Sequence, residues 1–192
     1  MREEVAKSLR ESAEDMQNTV WPSIADLCRG GVFHPVESVI DRGFITKLDM
    51  YSGIDGFQEL PELGVMRGIA CRVQYVKKAY PSFTLRYSRS TKARTEFEKR
   101  LYAILNEDDG YLYPHLTIQA YMTKHNGQLL SVGIAKTKQL YLYTQKYLND
   151  FRRVTKKPNP EDGNEFLAVW WPPYKALGNP LRIGPRCKEG CK

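Results

Sequence analysis

Long hydrophobic runs are what this chain has least of. Its apolar stretches extend over only a few residues, far short of the roughly 20 that a membrane-spanning helix requires. The N-terminus, MREEVAKSLRESAEDMQ, carries charge where a secretory leader would carry an apolar core. A soluble, cytoplasmic protein with no membrane partner is therefore expected. Histidine is scarce: His34, His115 and His125 are the only three, and they fall in unrelated contexts. The four cysteines include no CxxC pair. Cys28 and Cys71 sit in apolar segments, and Cys187 and Cys191 form a lone CxxxC at the tail. A zinc site needs four ligands at familiar spacings, so free thiols are the expectation. Walker loop, dinucleotide fingerprint, Gly-x-Ser-x-Gly and HExxH are all missing, which leaves P-loop nucleotide hydrolysis, redox and esterase chemistry unsupported.

Acid is also short relative to base. Twenty-nine Lys and Arg stand against 22 Asp and Glu, a net charge of +7, and such a surplus favours polyanionic partners through local concentration and counterion release. The 192 residues suffice for one domain with a proper core. Residues 1–157 read as an α/β core, and 158–192 as a further strand plus a basic irregular tail of the same domain.

Val5, Leu9, Ala13, Met16 and Val20 recur at helical spacing within 2–30, with Trp21-Pro22 as a break and Gly30-Gly31 as the stop. Residues 44–60 alternate weakly about a Ser52-Gly53 turn. Residues 67–76 alternate better: Ile69, Cys71, Val73 and Tyr75 face one way, Ala70, Arg72, Gln74 and Val76 the other. A strand at 82–89 follows, then a helix near 93–106 in which Thr95 and Glu98 have capping-box spacing. Strands at 114–122 and 129–135 flank Asn126-Gly127, and a helix is expected over 137–153. One last strand, 166–171, runs into Pro172-Pro173. The pattern predicts a single mixed central sheet flanked by helices.

The chemistry-bearing stretch is 44–74. Asp49 and Asp55 stand on two extended segments either side of a glycine turn, and Arg72 and Gln74 share one face of the third. Hard carboxylate oxygens suit Mg²⁺, or Mn²⁺ in its place, as used to hydrolyse phosphodiesters. Each residue also has a plainer reading: Asp55 beside Gly56 as a turn cap, Asp49, Arg72 and Gln119 as solvated strand residues. The basic run Lys77, Lys78, Arg86, Arg89, Lys92 and Arg94, interleaved with Tyr80, Phe83 and Tyr87, suits a phosphate backbone with stacking platforms. Thr95, Glu96 and Lys99 stand on the following helix as candidates for an outer ring around the site.

The order helix, meander, helix, two strands, with Asp55 at the start of the second strand, resembles the PD-(D/E)XK nuclease superfamily over roughly residues 2–150. GIDGFQ, IACRVQ and YPHLTIQAY are similar to short proteins of mobile elements and phages. The resemblance implies a restriction-endonuclease-like fold with Asp55 as the first metal-binding acid. Where the family has acid-x-lysine, this chain has Arg72-Val73-Gln74 or Ala70-Cys71-Arg72. Gln74 then stands as a neutral metal ligand and Lys77 or Lys78 as the displaced cation, with Glu11 or Glu14 as accessory carboxylate and Gln119 as a brace. Three functions stay open: a Mg²⁺-dependent endonuclease acting on DNA in preference to RNA, an inactive nucleic-acid-binding protein on the same fold, and a mobile-element protein-interaction module.

Overall fold

The computed structural model describes residues 2–36, 52–88, 94–158, 164–179 and 181–184. Helix α1 (Arg2–Asp15) runs through a π-helical turn (Met16–Val20) into α2 (Trp21–Ile24) and a 3₁₀ turn, Asp26–Cys28. The expected break at Trp21-Pro22 does not occur. The irregularity lies one turn earlier, where the widened π turn accommodates the ring and missing N–H of Pro22.

Strands β1 (Val32–Pro35), β2 (Gly56–Leu60) and β3 (Val65–Tyr75) form an antiparallel meander. β4 (Ser82–Ser88) leaves that sheet and leads into α3 (Glu96–Leu105). Thr95 caps α3 reciprocally with Glu98, with Thr95 N–H to Glu98 Oε2 at 2.7 Å and Glu98 N–H to Thr95 Oγ1 at 3.2 Å. β5 (Leu116–Met122) returns parallel to β3, and β6 (Leu129–Lys136) pairs antiparallel with β5. Then follow α4 (Thr137–Lys146), β7 (Val154–Pro158), β8 (Glu165–Trp170), α5 (Trp171–Ala176) and β9 (Leu181–Gly184).

The expected single sheet is two. One is mixed and six-stranded, in the order β1-β2-β3-β5-β6-β9; the other is three-stranded, in the order β4-β8-β7. Three further expectations for the second half need correction. The helix read over 137–153 stops at Lys146; Arg152 and Arg153 lie in the following turn and Lys156 and Lys157 in β7. Pro172 and Pro173 do not merely stop a strand, because proline needs no N–H in a first helical turn and here they open α5. Part of the tail read as irregular supplies β9. Among the described residues no helix is long and apolar enough to cross a membrane.

Alternation on β3 and β5 sorts two cores. Ile69, Val73, Ile118, Ala120 and Met122 pack under α1 and α2 with Met16, Val20, Trp21 and Ile24. The opposite face, through Tyr121 and Ala135, packs with Phe83 and Leu85 of β4, Phe97 and Ile104 of α3, Leu140 and Tyr141 of α4, and Trp171 and Tyr174 of α5. Gly133 makes the closest approach in this second core, since a Cβ there would lie 2.4 Å from the Trp171 indole. Trp171 is core, whereas Trp170 is part-exposed and donates from Nε1 to Thr155 Oγ1 at 2.9 Å.

Candidate functional site

β2 pairs with β3 only as far as Gly56 opposite Ile69. Beyond that point β3 continues to Tyr75 with β5 alone beside it among the described residues. The margin left open is the floor of a cleft of about 780 Å³. Ser8, Leu9 and Ser12 of α1 line one side, while Glu96, Lys99 and Arg100 of α3 and Thr84 and Arg86 of β4 line the other.

Seven of the residues singled out by sequence meet here: Asp55, Arg72, Gln74, Arg86, Glu96, Lys99 and Gln119 all line the cleft. By register Asp55 stands opposite Ala70, on the face that carries Arg72 and Gln74. Its Oδ2 accepts the Cys71 N–H at 2.7 Å. Arg72 Nη1 donates to Thr84 O at 3.3 Å, and Nη2 lies 3.9 Å from Glu96 Oε2. Gln119 is not the solvated strand residue of the plainer expectation. It is 2% exposed, accepts the Thr84 N–H at 3.2 Å and donates to Gln74 Oε1 at 3.3 Å. Together Arg72 and Gln119 strap β4 to the large sheet through one residue's main chain.

The other candidates lie elsewhere. Lys77 and Lys78 are exposed in the bend after β3 and do not line the cleft. Arg94 lies over the Tyr102 ring, 5.4 Å from its centroid. Glu11 pairs with Lys7 at 3.8 Å and Glu14 with His125 at 3.6 Å, and neither lines the cleft. Asp49, Arg89, Lys92, Cys187 and Cys191 lie outside the described residues.

Sequence reasoning missed the residue at the centre, Arg100. It falls between Phe97 and Ile104 in the apolar stripe of α3 and is buried with them. Nη1 donates to Glu96 Oε1 at 2.8 Å and to the Tyr141 hydroxyl at 3.1 Å, and Nη2 donates to Gly53 O at 2.6 Å. Gly53, at φ +62°, leaves room for the guanidinium, because a Cβ there would meet it at 2.4 Å. Burial opposes the charge on Arg100, but Tyr141, Glu96 and Asp55 outweigh it and hold the group firmly protonated. Burial pushes the Tyr141 phenol up to about 12. A cation inside an otherwise apolar helical stripe, four residues after a glutamate, was the available signal.

Asp55 and Gln74 are four strand positions apart, about 13 Å along the backbone at roughly 3.3 Å per residue, so one Mg²⁺ would need both side chains extended towards each other to bring their oxygens within about 4 Å. Glu96 is paired with Arg100 and Arg72. Among the described residues no group of three or more His, Cys, Asp or Glu converges as a metal site. The cleft lining instead carries four cations (Arg72, Arg86, Lys99, Arg100) against three carboxylates (Asp55, Glu96, Glu165), with the amides of Gln74, Gln119 and Asn164 among them. No protein-family model, curated protein or solved structure matches the chain.

Proposed function

We propose that the chain is a nucleic-acid-binding protein of nuclease-like architecture, whose cleft grips the phosphate backbone of DNA. The observation that carries this reading is the convergence of Arg72, Arg86, Lys99 and three side-chain amides around one open trough beside β3. Arginine offers a fork of donors that matches phosphate oxygens, and the surplus of seven positive charges adds long-range attraction. The architecture is supported by the order α1, meander β1–β2–β3, α3, then β5 and β6 in the same sheet. On this reading Asp55, opposite Ala70 by register, favours Ala70-Cys71-Arg72 over Arg72-Val73-Gln74 as the counterpart of the superfamily's acid-x-lysine.

Binding without hydrolysis is favoured because Arg100 neutralises the carboxylates that a cation would need. Hydrolysis dependent on Mg²⁺ or Mn²⁺ is the second reading. Its support is that Asp55 and Glu96 both act on one guanidinium in the same cleft, and it would call on further ligands such as Asp49.

Titration of labelled duplex DNA at stepped salt tests the first reading. Each phosphate contact contributes about 0.9 to the slope of log affinity against log salt, so Arg72→Gln and Arg86→Gln should each flatten it by about one. Salt-independent binding, or none, would leave the protein-interaction alternative. Cleavage of the same DNA with Mg²⁺ or Mn²⁺, abolished by Asp55→Ala, would replace the first reading with the second.

A further inference from the structure

A second cavity, of about 270 Å³, opens at the other end of the large sheet. Leu27, Cys28 and Arg29 line it with Arg67 of β3, Leu116 of β5, Ile134 and Lys136 of β6, and Arg182 of β9. Arg67 and Ile69 alternate with Arg72 and Gln74 along β3, and Ile134 pairs with Arg182 as Leu116 does with Lys136. Arg67, Lys136 and Arg182 therefore project from the sheet face opposite to that of Arg72 and Gln74. The two sites do not share a wall.

All four ionisable nitrogen side chains of this lining are cations, and among the described residues none of the lining is acidic. The cost is visible at Arg67, whose protonation is disfavoured by burial and, to a smaller extent, by Arg29 and Arg182. Arg67 is nevertheless fixed in place. Nε donates to Gln58 Oε1 and Nη2 to Cys28 O, each at 2.5 Å, and the buried Gln58 amide donates in turn to Cys28 O at 2.9 Å. Arg29 is presented on a left-handed turn at φ +72°. A cluster of like charges, held by a buried amide around a concavity with no acidic group in its lining among the described residues, matches a multivalent anion.

We propose that this cavity binds a phosphoryl dianion. The volume lies just below the roughly 300 Å³ at which pockets for whole small molecules begin. It therefore takes a compact head group, either free phosphate or the terminal phosphate of a polynucleotide, with Arg182 and Lys136 reaching it from two neighbouring strands and Arg29 from the turn. The proposal is independent of the DNA-binding reading of the larger cleft.

Calorimetric titration of the full chain with inorganic phosphate at mildly alkaline pH, against chloride of matched ionic strength, is the test. A parallel arm compares one short oligonucleotide carrying a 5′-phosphate with the same oligonucleotide carrying a 5′-hydroxyl. Saturable phosphate binding is expected, weakened roughly tenfold by Arg182→Gln and by Lys136→Gln, as for one charge-assisted hydrogen bond. Both residues are exposed, so neither substitution threatens the fold. Binding of the 5′-phosphorylated oligonucleotide alone, with the same sensitivity, would support the proposal with a polynucleotide end as the source. Heats equal to those of chloride in both arms, or affinity lost in Arg72→Gln and retained in Arg182→Gln, would overturn it.

Discussion

Replacing Arg100 by methionine removes the charge and every donor while roughly keeping the length of the side chain. Arg100 is 5% exposed, and its guanidinium serves three partners on three elements: Glu96 within α3, Tyr141 on α4, and Gly53 ahead of β2. Breaking a buried pair by deleting one partner costs about 3–5 kcal/mol, because the remaining charge is left uncompensated. Glu96 loses its 2.8 Å guanidinium partner while Arg72 lies 3.9 Å away, and Asp55 loses a favourable field. For a chain of this length each kcal/mol lowers the melting temperature by about 2–4 °C, so a drop of roughly 6–20 °C is expected. Glu96→Gln should cost less, about 1–2 kcal/mol, since its side chain is 25% exposed and its amide still accepts a hydrogen bond. The double variant should be less damaged than the two effects added, with a coupling of about 1–3 kcal/mol. Urea unfolding followed by circular dichroism, read as a midpoint shift at constant slope, measures all three. A cost under about 1 kcal/mol for Arg100→Met, or additivity within about 0.5 kcal/mol, would refute the claim that this arginine ties the cleft together.

Arg100→Met also leaves Asp55 and Glu96 with fewer cations between them, so Mn²⁺ should raise the melting temperature of the variant more than that of the wild type; an equal response in thermal-shift assays would count against this. Gly133→Ala should cost about 1–3 kcal/mol by overpacking against Trp171, and an unchanged urea midpoint would contradict it. Asp15 is fully buried and accepts from the Tyr75 hydroxyl, the Asn126 N–H and His125. Asp15→Ala should therefore lose about 1–3 kcal/mol through unsatisfied donors, checked by the same unfolding curve. Tyr141 and Tyr113, raised to about 12 by burial first, ionise more readily in the unfolded chain, near pH 10. Their contribution is present below about pH 10 and lost as pH rises towards 12. Tyrosinate absorbance should lag in the folded protein, and ionisation of every tyrosine near pH 10 before any unfolding would exclude it.

Most of the sheet-forming segments were legible because side-chain alternation is local. The faces of β3 follow directly from IACRVQ, and the α3 capping box from Thr95 and Glu98. What could not be read was which strands share a sheet. β4 and β8 look like any amphipathic strands, and only the core formed by Phe83, Leu85, Leu167 and Val169 against α4 and α5 sends them to a separate sheet. The same limit applied to the site. Arg72 and Gln74 could be placed on one face from periodicity, but only the register puts Asp55 opposite Ala70, on that same face and four positions from Gln74. Arg100 was hidden because a lone cation in an apolar stripe reads as an interruption until Glu96, Gly53 and Tyr141 are found around it. The cationic cavity could not be foreseen at all, since its four charges come from positions 29, 67, 136 and 182.

Where β2 departs at Gly56, the outer margin of β3 carries no further strand among the described residues, and such a margin is a place where a foreign strand could dock. Asp55 sits at that margin with its carboxylate on the Cys71 N–H, which occupies one main-chain donor of the edge and sets a negative charge beside it, the means by which edge strands are blunted against association. An Asp55→Ala protein would lose that guard, and its monodispersity has to be established before any change in its handling of DNA is assigned to chemistry.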